Sequence, residues 1–461
     1  MRRFLPAALA LTLTAVAASP ASAGTDRAEL QETVAITQGN GDSSHPVISQ
    51  DRRYSTILAF ESEASDLVPN DTNGLKDVFM VRRGGHIDNN GSPWVPGGTT
   101  LISRGLNGAP ANGPSWRAAI DGGFPEPGDD PTYPKCIAFL SDASNLVPND
   151  TNGVTDAFVS RGPGQTLERV SLPKGKQSTA PTTEVTVSID CTHIAFVTGN
   201  KLYVRYTPKV APSKLKKMSA KRRKAATKQR NIAPRIAGTA SGAQFSTGQT
   251  DDLVVAGDPG VYLLKDGVKK PKLIAPGGRN PSYNDVKCRV VAYETAAGGH
   301  TQVAWRYLGE AKNQWGKSPT GVPCHALAKP GEQFASKNQG NHVGNADSRN
   351  PSIGNSGFYI TFESDASNLG VNALGRLGDP NRRTDVYLYT AVRDITLVQS
   401  VEEKAVPLDG GGTNPSTGWY ANYVFFDSPI GGDAGLPLGL PGFGARGSEV
   451  RQILMRYLGP V

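Results

Sequence analysis

Along the chain, apolar runs of four or five residues alternate with polar, turn-rich stretches, a spacing too short for helices and right for strands of a half-buried sheet. The phrase FESEASDLVPNDTNGLKDVF at residues 60 to 79 returns as FLSDASNLVPNDTNGVTDAF at 139 to 158 and, shortened, as FESDASNLG with NRRTDVY between 362 and 387. Copying of this kind means one supersecondary unit repeated in series. Each unit reads as an opening strand, a turn, an apolar strand of the Ile-Ala-Phe type, a second turn, and an aspartate-led strand of the Asp-Val-Phe type.

The openings are clearest as HPVISQDRRYSTILAFES from His45, NPSYNDVKCRVVAYET from Asn280, NPSIGNSGFYITFES from Asn350 and NPSTGWYANYVFFDS from Asn414. Fainter copies begin as GPSWRAAI at Gly113 (completed by CIAFLSD from Cys136), TEVTVSIDCTHIAFVT at Thr183 and AQFSTGQTDDLVVAG at Ala243, which makes seven. Seven third strands match one another, from VFMVRR to ILMRYLG, but only six fourth strands follow them: TTLISR, LERVSL, PRIAG, PKLIA, EQFAS and ITLVQS. The seventh is predicted at the other terminus, where ETVAIT spans Glu32 to Thr37. The expected fold is therefore all-β: a propeller of seven four-stranded blades closed by the N-terminal strand, with six or eight blades as the neighbouring solutions. Glycine at 53 and proline at 34 residues fit many short strands joined by turns.

The turn, the Ile-Ala-Phe strand and the Asp-Val-Phe or Asp-Val-Tyr strand together resemble the TolB-like, WD-type β-propeller repeats of bacterial extracytoplasmic proteins, over about Glu32 to Leu458. The family's Ser-Pro-Asp-Gly turn is altered, for example to Ser188-Ile189-Asp190-Cys191. TolB proper carries an α/β domain ahead of its propeller, and no βαβ pattern precedes the first blade here. The propeller-bearing serine peptidases carry a G-x-S-x-G nucleophile turn, and the sequence holds none. The resemblance thus implies a propeller alone.

Arg2 and Arg3, the apolar run Phe4 to Ala18 and the small residues Ala21-Ser22-Ala23 form an export signal over residues 1–23, leaving a single propeller domain over 24–461. No later stretch approaches the roughly 18 apolar residues of a membrane span, so a secreted or periplasmic monomer is expected. In that compartment the four cysteines predict two disulfides. With strands a to d crossing each blade, the a–b and c–d turns share one face of the ring, and this favours Cys136 with Cys191 and Cys288 with Cys324, the last lying in a loop insertion at about 310–330.

Three groups of residues carry candidate chemistry. Asp71, Asn73 and Asp77, and likewise Asp150, Asn152 and Asp156, place oxygen ligands at positions one, three and seven of a glycine-containing loop, a pattern open to structural calcium. The same residues serve an Asn-Gly turn, in which the aspartates cap backbone donors, and this turn chemistry is the favoured reading. His45, Asn280, Asn350 and Asn414 each precede proline, and with Arg279 and Arg349 they are expected to ring the channel on the b–c and d–a face, as a ligand site or as turn starters. Finally, residues 209–235 hold eleven Lys or Arg and no acid, so the formal charge of +8 becomes −3 without them. Such an insertion suits an anionic envelope polymer, or is a solvated loop; nucleic acid is disfavoured because no aromatic residue interrupts the run.

The six histidines show no metal-ligand spacing. The expected function is a non-enzymatic scaffold for protein or cell-envelope ligands. A carbohydrate-active lyase or hydrolase with its site in the channel is the alternative, to be favoured by two carboxyl groups about 5 to 10 Å apart in a pocket.

Overall fold

A computed structural model describes residues 32–458 except 52–54, 86–93, 121–135, 162–166, 208–213, 215, 227, 249, 287, 311–323, 325–330, 355–356, 371–380, 402–407, 409, 419–420 and 430–449. The expected export signal at 1–23 and most of the expected 310–330 insertion lie outside the described residues. Seven antiparallel four-stranded sheets form, each in the order a-b-c-d. Blades one, two and three run Ser43–Ile48 to Val95–Leu101, Ser115–Ile120 to Glu168–Arg169 and Thr182–Val187 to Arg230–Ile232. Blades four, five and six run Ser241–Phe245 to Lys272–Pro276, Arg279–Asn284 to Gln333–Phe334 and Ser348–Ile353 to Ile395–Val398.

Blade seven takes strands a to c from Thr413–Thr417, Tyr423–Pro429 and Arg451–Tyr457, and its strand d is Glu32–Ala35. Closure by the N-terminal strand is thus as expected, with Thr33 opposite Arg456 and Val34 opposite Met455. Side chains reinforce the seam. Thr37 Oγ1 donates to Gln452 Oε1 at 2.8 Å and accepts the Ile453 N–H at 2.9 Å, while Thr33 Oγ1 donates to the Val401 carbonyl at 2.6 Å.

The repeat acquires a packing reason. The Phe of each Ile-Ala-Phe strand stands opposite the aromatic residue of the following strand, as Phe60 to Phe79, Phe139 to Phe158, Phe196 to Tyr203 and Phe362 to Tyr387. These ring pairs stack with centroids 5.4 to 5.9 Å apart. Seven apolar clusters result, one between each pair of neighbouring blades; Phe60, Phe79, Phe425 and Tyr457 belong to the one that joins the last blade to the first. Fully burying one such ring contributes about 1.5–3 kcal/mol, so each blade is stable chiefly against its neighbours.

One strand is displaced from expectation. The fourth strand of blade three is Arg230–Ile232, pairing Val204 to Tyr206, and not the PRIAG run at Pro234 to Gly238. The basic stretch itself therefore supplies the blade edge, because Arg230 and Asn231 continue the ladder before the proline that ends it.

Deleting Glu32 to Thr37 is expected to expose the edge of the Arg451–Tyr457 strand, lower the melting temperature by ten degrees or more and promote aggregation. Calorimetry and light scattering of the truncated protein check this.

Candidate functional site at the channel mouth

The strand nearest the channel is irregular in every blade: its pairing with strand b shifts register once, a β-bulge. The bulged residue has a left-handed backbone in six blades: His45 (φ 51), Arg117 (φ 55), Gly242 (φ 57), Asn280 (φ 43), Asn350 (φ 53) and Asn414 (φ 52). The His-Pro and Asn-Pro pairs are thus bulges inside strand a and not turns that start it. Asparagine and glycine recur because they adopt this conformation at least cost.

The bulge aims a backbone N–H at a carboxylate of the preceding blade. His45 donates to Asp427 Oδ2 at 3.0 Å, Arg117 to Glu61 Oε1 at 2.6 Å, Asn350 to Glu294 Oε1 at 2.9 Å and Asn414 to Glu363 Oε2 at 2.7 Å. Between blades three and four, Glu184 takes both the Gly242 and Ala243 N–H groups, at 2.8 and 2.7 Å. Leu140 and Ala256 stand where blades two and four would carry the acid. These carboxylates were not singled out in the sequence, although the recurring Phe-Glu-Ser, Tyr-Glu-Thr and Phe-Asp-Ser triplets are the signal of all but Glu184.

Two cavities lie along the channel. The deeper one, about 260 Å³, is lined by Arg117, Thr186, Gln244 and Asn280 among others. The mouth, about 880 Å³, is lined by His45, Glu61, Glu63, Lys76, Arg117, Asn350 and Asn414. Of the predicted ring, His45, Asn350 and Asn414 line the mouth, and Asn280, which lines the smaller cavity, donates through Nδ2 to Asn350 Oδ1 at 3.1 Å. Arg349 is instead paired with Glu363 (Nε to Oε1, 3.2 Å) and Asp365, and Arg279 is exposed outside both cavities. The guanidinium at the mouth is that of Arg117, which the sequence reading passed over because no proline follows it.

Charge at the mouth is mixed. Glu61 Oε2 lies 3.4 Å from His45 Nδ1 and 3.8 Å from Lys76 Nζ, and Lys76 also reaches Glu63 at 3.9 Å. Burial pushes the Glu363 carboxyl above the usual range, against the hydrogen bond from Asn414. Each carboxylate of the inner ring is committed to backbone donors, an arrangement that holds blades together.

The Asp-Thr-Asn-Gly loops are built as turns. Asn73 Oδ1 accepts the Leu75 N–H at 3.0 Å, while its Nδ2 donates to Asp77 Oδ2 at 2.7 Å and to the Ala111 carbonyl at 3.2 Å. Asn152 repeats the two Nδ2 bonds, to Asp156 Oδ2 at 2.8 Å and the Ser178 carbonyl at 3.0 Å, and Asn381 does so with Asp385 and Leu408. The shortened copy thus keeps the Asn and Asp that matter. Ser103, Ser171 and Ser400 donate to the same aspartates from the strand d side. An amide nitrogen facing the carboxylate is what the turn uses.

Blades one and two differ in one respect. Arg169, opposite Phe158, sits between Asp150 (2.6 Å) and Asp156 (3.5 Å), whereas Leu101 occupies the same place opposite Phe79. Without that guanidinium, burial and the nearby Asp71 push Asp77 up to about 6.

The basic insertion carries a short helix, Ala220–Ala226, with no buried residue. No helix among the described residues is long and apolar enough to cross a membrane. Both disulfides are formed as expected, Cys136 to Cys191 and Cys288 to Cys324.

No known protein family and no curated protein sequence matches the chain. Solved structures similar to it are propellers. The C-terminal WD40 domain of Sif2 has a TM-score of 0.42 at 11% identity, covering 92% of this chain and 98% of that one. The propeller domain of the Trilobed protease from Pyrococcus furiosus has 0.39 at 9%, covering 85% and 90%. A protein assigned as TolB from Agrobacterium tumefaciens has 0.33 at 12%, covering 57% and 73%. The chain is a seven-bladed β-propeller.

Asp427 is fully buried and accepts from His45, Asn414 and Thr413 while pairing with Arg451. Asp427→Ala is expected to cost about 3–5 kcal/mol in urea unfolding, because it strands a cation and several donors.

Asp77 gives a pH signature. Its folded value of about 6 exceeds the ordinary 3.8, so its stabilising contribution is complete below pH 3.8 and is lost as pH rises through 6. Relative to Asp77→Asn, the wild type should therefore lose up to about 3 kcal/mol between pH 4 and 7, and Leu101→Arg should flatten that loss. Calcium added to chelated protein is expected to leave the melting temperature unchanged.

Proposed function

We propose that this propeller is an exported, non-enzymatic scaffold that binds a protein or cell-envelope ligand at its channel mouth. The observation that carries this reading is the pairing of an open cavity of about 880 Å³ with inner-ring carboxylates already bound to backbone N–H groups. Glycoside hydrolysis needs one carboxyl group to give a proton and another to attack or activate water. Glu61 is 5% and Glu363 7% exposed on the side chain, and both bridge blades. The cavity wall adds the exposed carboxylate of Glu63 to imidazole, ammonium, guanidinium and amide groups, and Glu63 is itself paired with Lys76, a mixed set suited to a polar ligand with carboxylate or hydroxyl groups. Export is supported by the two disulfides and by the N-terminal residues.

The test compares wild type with a variant carrying His45→Asn and Lys76→Ala. Asparagine keeps the left-handed bulge, as it does in blades five to seven, so folding is preserved. A ligand retained from envelope extract by the wild type and lost by the variant is the expected result. Turnover of a polysaccharide panel, abolished by Glu61→Gln, would instead establish the enzyme.

The basic insertion serves the same reading as a second, electrostatic contact with an anionic envelope polymer. Its dispensable part is shorter than the whole run, since Arg230 and Asn231 belong to blade three. Replacing 211 to 226 with a short Gly/Ser bridge is expected to leave the melting temperature within about 3 °C and to abolish salt-sensitive retention on a polyanion resin.

A further inference from the structure

Away from the channel mouth, one group of side chains among the described residues brings metal-ligating atoms together. Asp190, His193 and Asp251 offer donor atoms that all lie within 4.8 Å of one another. Asp190 belongs to the a–b turn of blade three and His193 opens the strand His193–Thr198, whereas Asp251 precedes Leu253–Ala256 in the a–b turn of blade four. The cluster thus joins two blades on the face opposite the mouth. We propose that these three residues bind a divalent transition-metal ion of the zinc type.

The distances favour ligation over a simple ion pair. His193 Nδ1 stands 3.5 Å from Asp251 Oδ1, long for an N–H···O hydrogen bond. It is close to the roughly 3.4 Å edge between two ligands of a tetrahedral ion with bonds of about 2.0–2.1 Å.

The ligands are also held in place. The imidazole is 4% exposed, stacks on Tyr206 with centroids 5.4 Å apart and an interplanar angle of 11°, and meets Phe245 edge-on. Asp190 Oδ1 accepts from the Thr192 N–H at 3.0 Å, Thr192 Oγ1 at 2.6 Å and Ser188 Oγ at 3.0 Å, which fixes the carboxylate on its turn. Thr192 Oγ1 lies 3.0 Å from His193 Nδ1, a contact that ligation through this nitrogen would displace. Between the two ligands, Cys191 is bonded to Cys136, anchoring the loop to blade two. Partners of this kind set ligand orientation at metal centres.

Ligand chemistry narrows the ion. One imidazole with two carboxylates suits zinc and its neighbours, whereas calcium takes oxygen alone. Three protein donors leave at least one coordination position to water or an anionic ligand. The sequence hid the site because its third ligand comes from the next blade, so histidine spacing alone is uninformative.

The experiment uses untagged mature protein, stripped with chelator and titrated calorimetrically with zinc, with calcium as the control. All four cysteines are in disulfides, so thiolates do not compete. The expected result is one zinc ion per chain, a melting temperature raised with zinc concentration by mass action, and no response to calcium. Asp251→Asn should weaken zinc binding at least about tenfold, and His193→Gln should do the same. Asp251→Asn preserves shape and decides alone if His193→Gln does not fold. Wild type that binds no zinc, zinc binding unchanged in Asp251→Asn, or an equal response to calcium would overturn the site.

Discussion

At five of the seven blade junctions a carboxylate on one blade takes the N–H of a left-handed bulge on the next. Seven separate sheets share no backbone ladder, so apolar packing between blades is broad and non-directional. The bulge supplies direction. It turns an inner-strand N–H sideways, out of its own sheet, where a donor buried near the channel needs a partner. Glu61, Glu184, Glu294, Glu363 and Asp427 provide it, and each therefore fixes the angle between two blades. A second layer below repeats the idea with hydroxyls: Ser416, Thr186 and Ser282 accept the N–H groups of Ile48, Phe245 and Ile353.

The repeated phrase belongs to the same system. In blades one, two and six an asparagine ahead of strand a clasps the Ala-Ser-Asp or Ala-Ser-Asn segment after strand b. Asn40 bonds Ser65 and Asp66, Asn112 bonds Ser144 and Asn145, and Asn345 bonds Ser367 and Asn368. Gly41 and Gly113 follow the first two because a Cβ there would sit 2.7 to 2.8 Å from the backbone of the clasped segment. Conspicuous as it is in the sequence, the phrase describes assembly. Chemistry that is not shared between blades is better sought where copies diverge, and both the mouth, with His45, Lys76 and Arg117, and the Asp-His-Asp cluster lie at such places.

Blade number, strand order, N-terminal closure and both disulfides were legible because each rests on local periodicity or on the face to which a turn belongs. The fourth strand of blade three was not, since Arg230–Ile232 lies inside a basic run whose charge pattern outweighs a weak strand signal. The polar ring was half legible. Asn-Pro marked the right backbone positions, but the side chains that meet there depend on contacts with the preceding blade, which tied Arg349 to Glu363 and Asp365 and brought Arg117 in. Period-two alternation reports which face of a sheet a residue takes and is silent about its neighbour across a blade junction.

The two faces of the ring are chemically distinct, and this bears on how a single propeller engages its surroundings. The b–c and d–a face opens as a cavity where opposite charges lie within 4 Å of one another, so its long-range field largely cancels and recognition there depends on close geometric fit. The a–b and c–d face carries the exposed basic helix, the disulfides and the Asp-His-Asp cluster. Like charges concentrated in one insertion act over about a Debye length, roughly 8–10 Å at moderate salt, and require no fit. The proposed electrostatic contact and the proposed ligand site therefore lie on opposite faces. On that proposal, an anionic surface held at the basic face would leave the mouth pointing away from it and accessible to a second ligand.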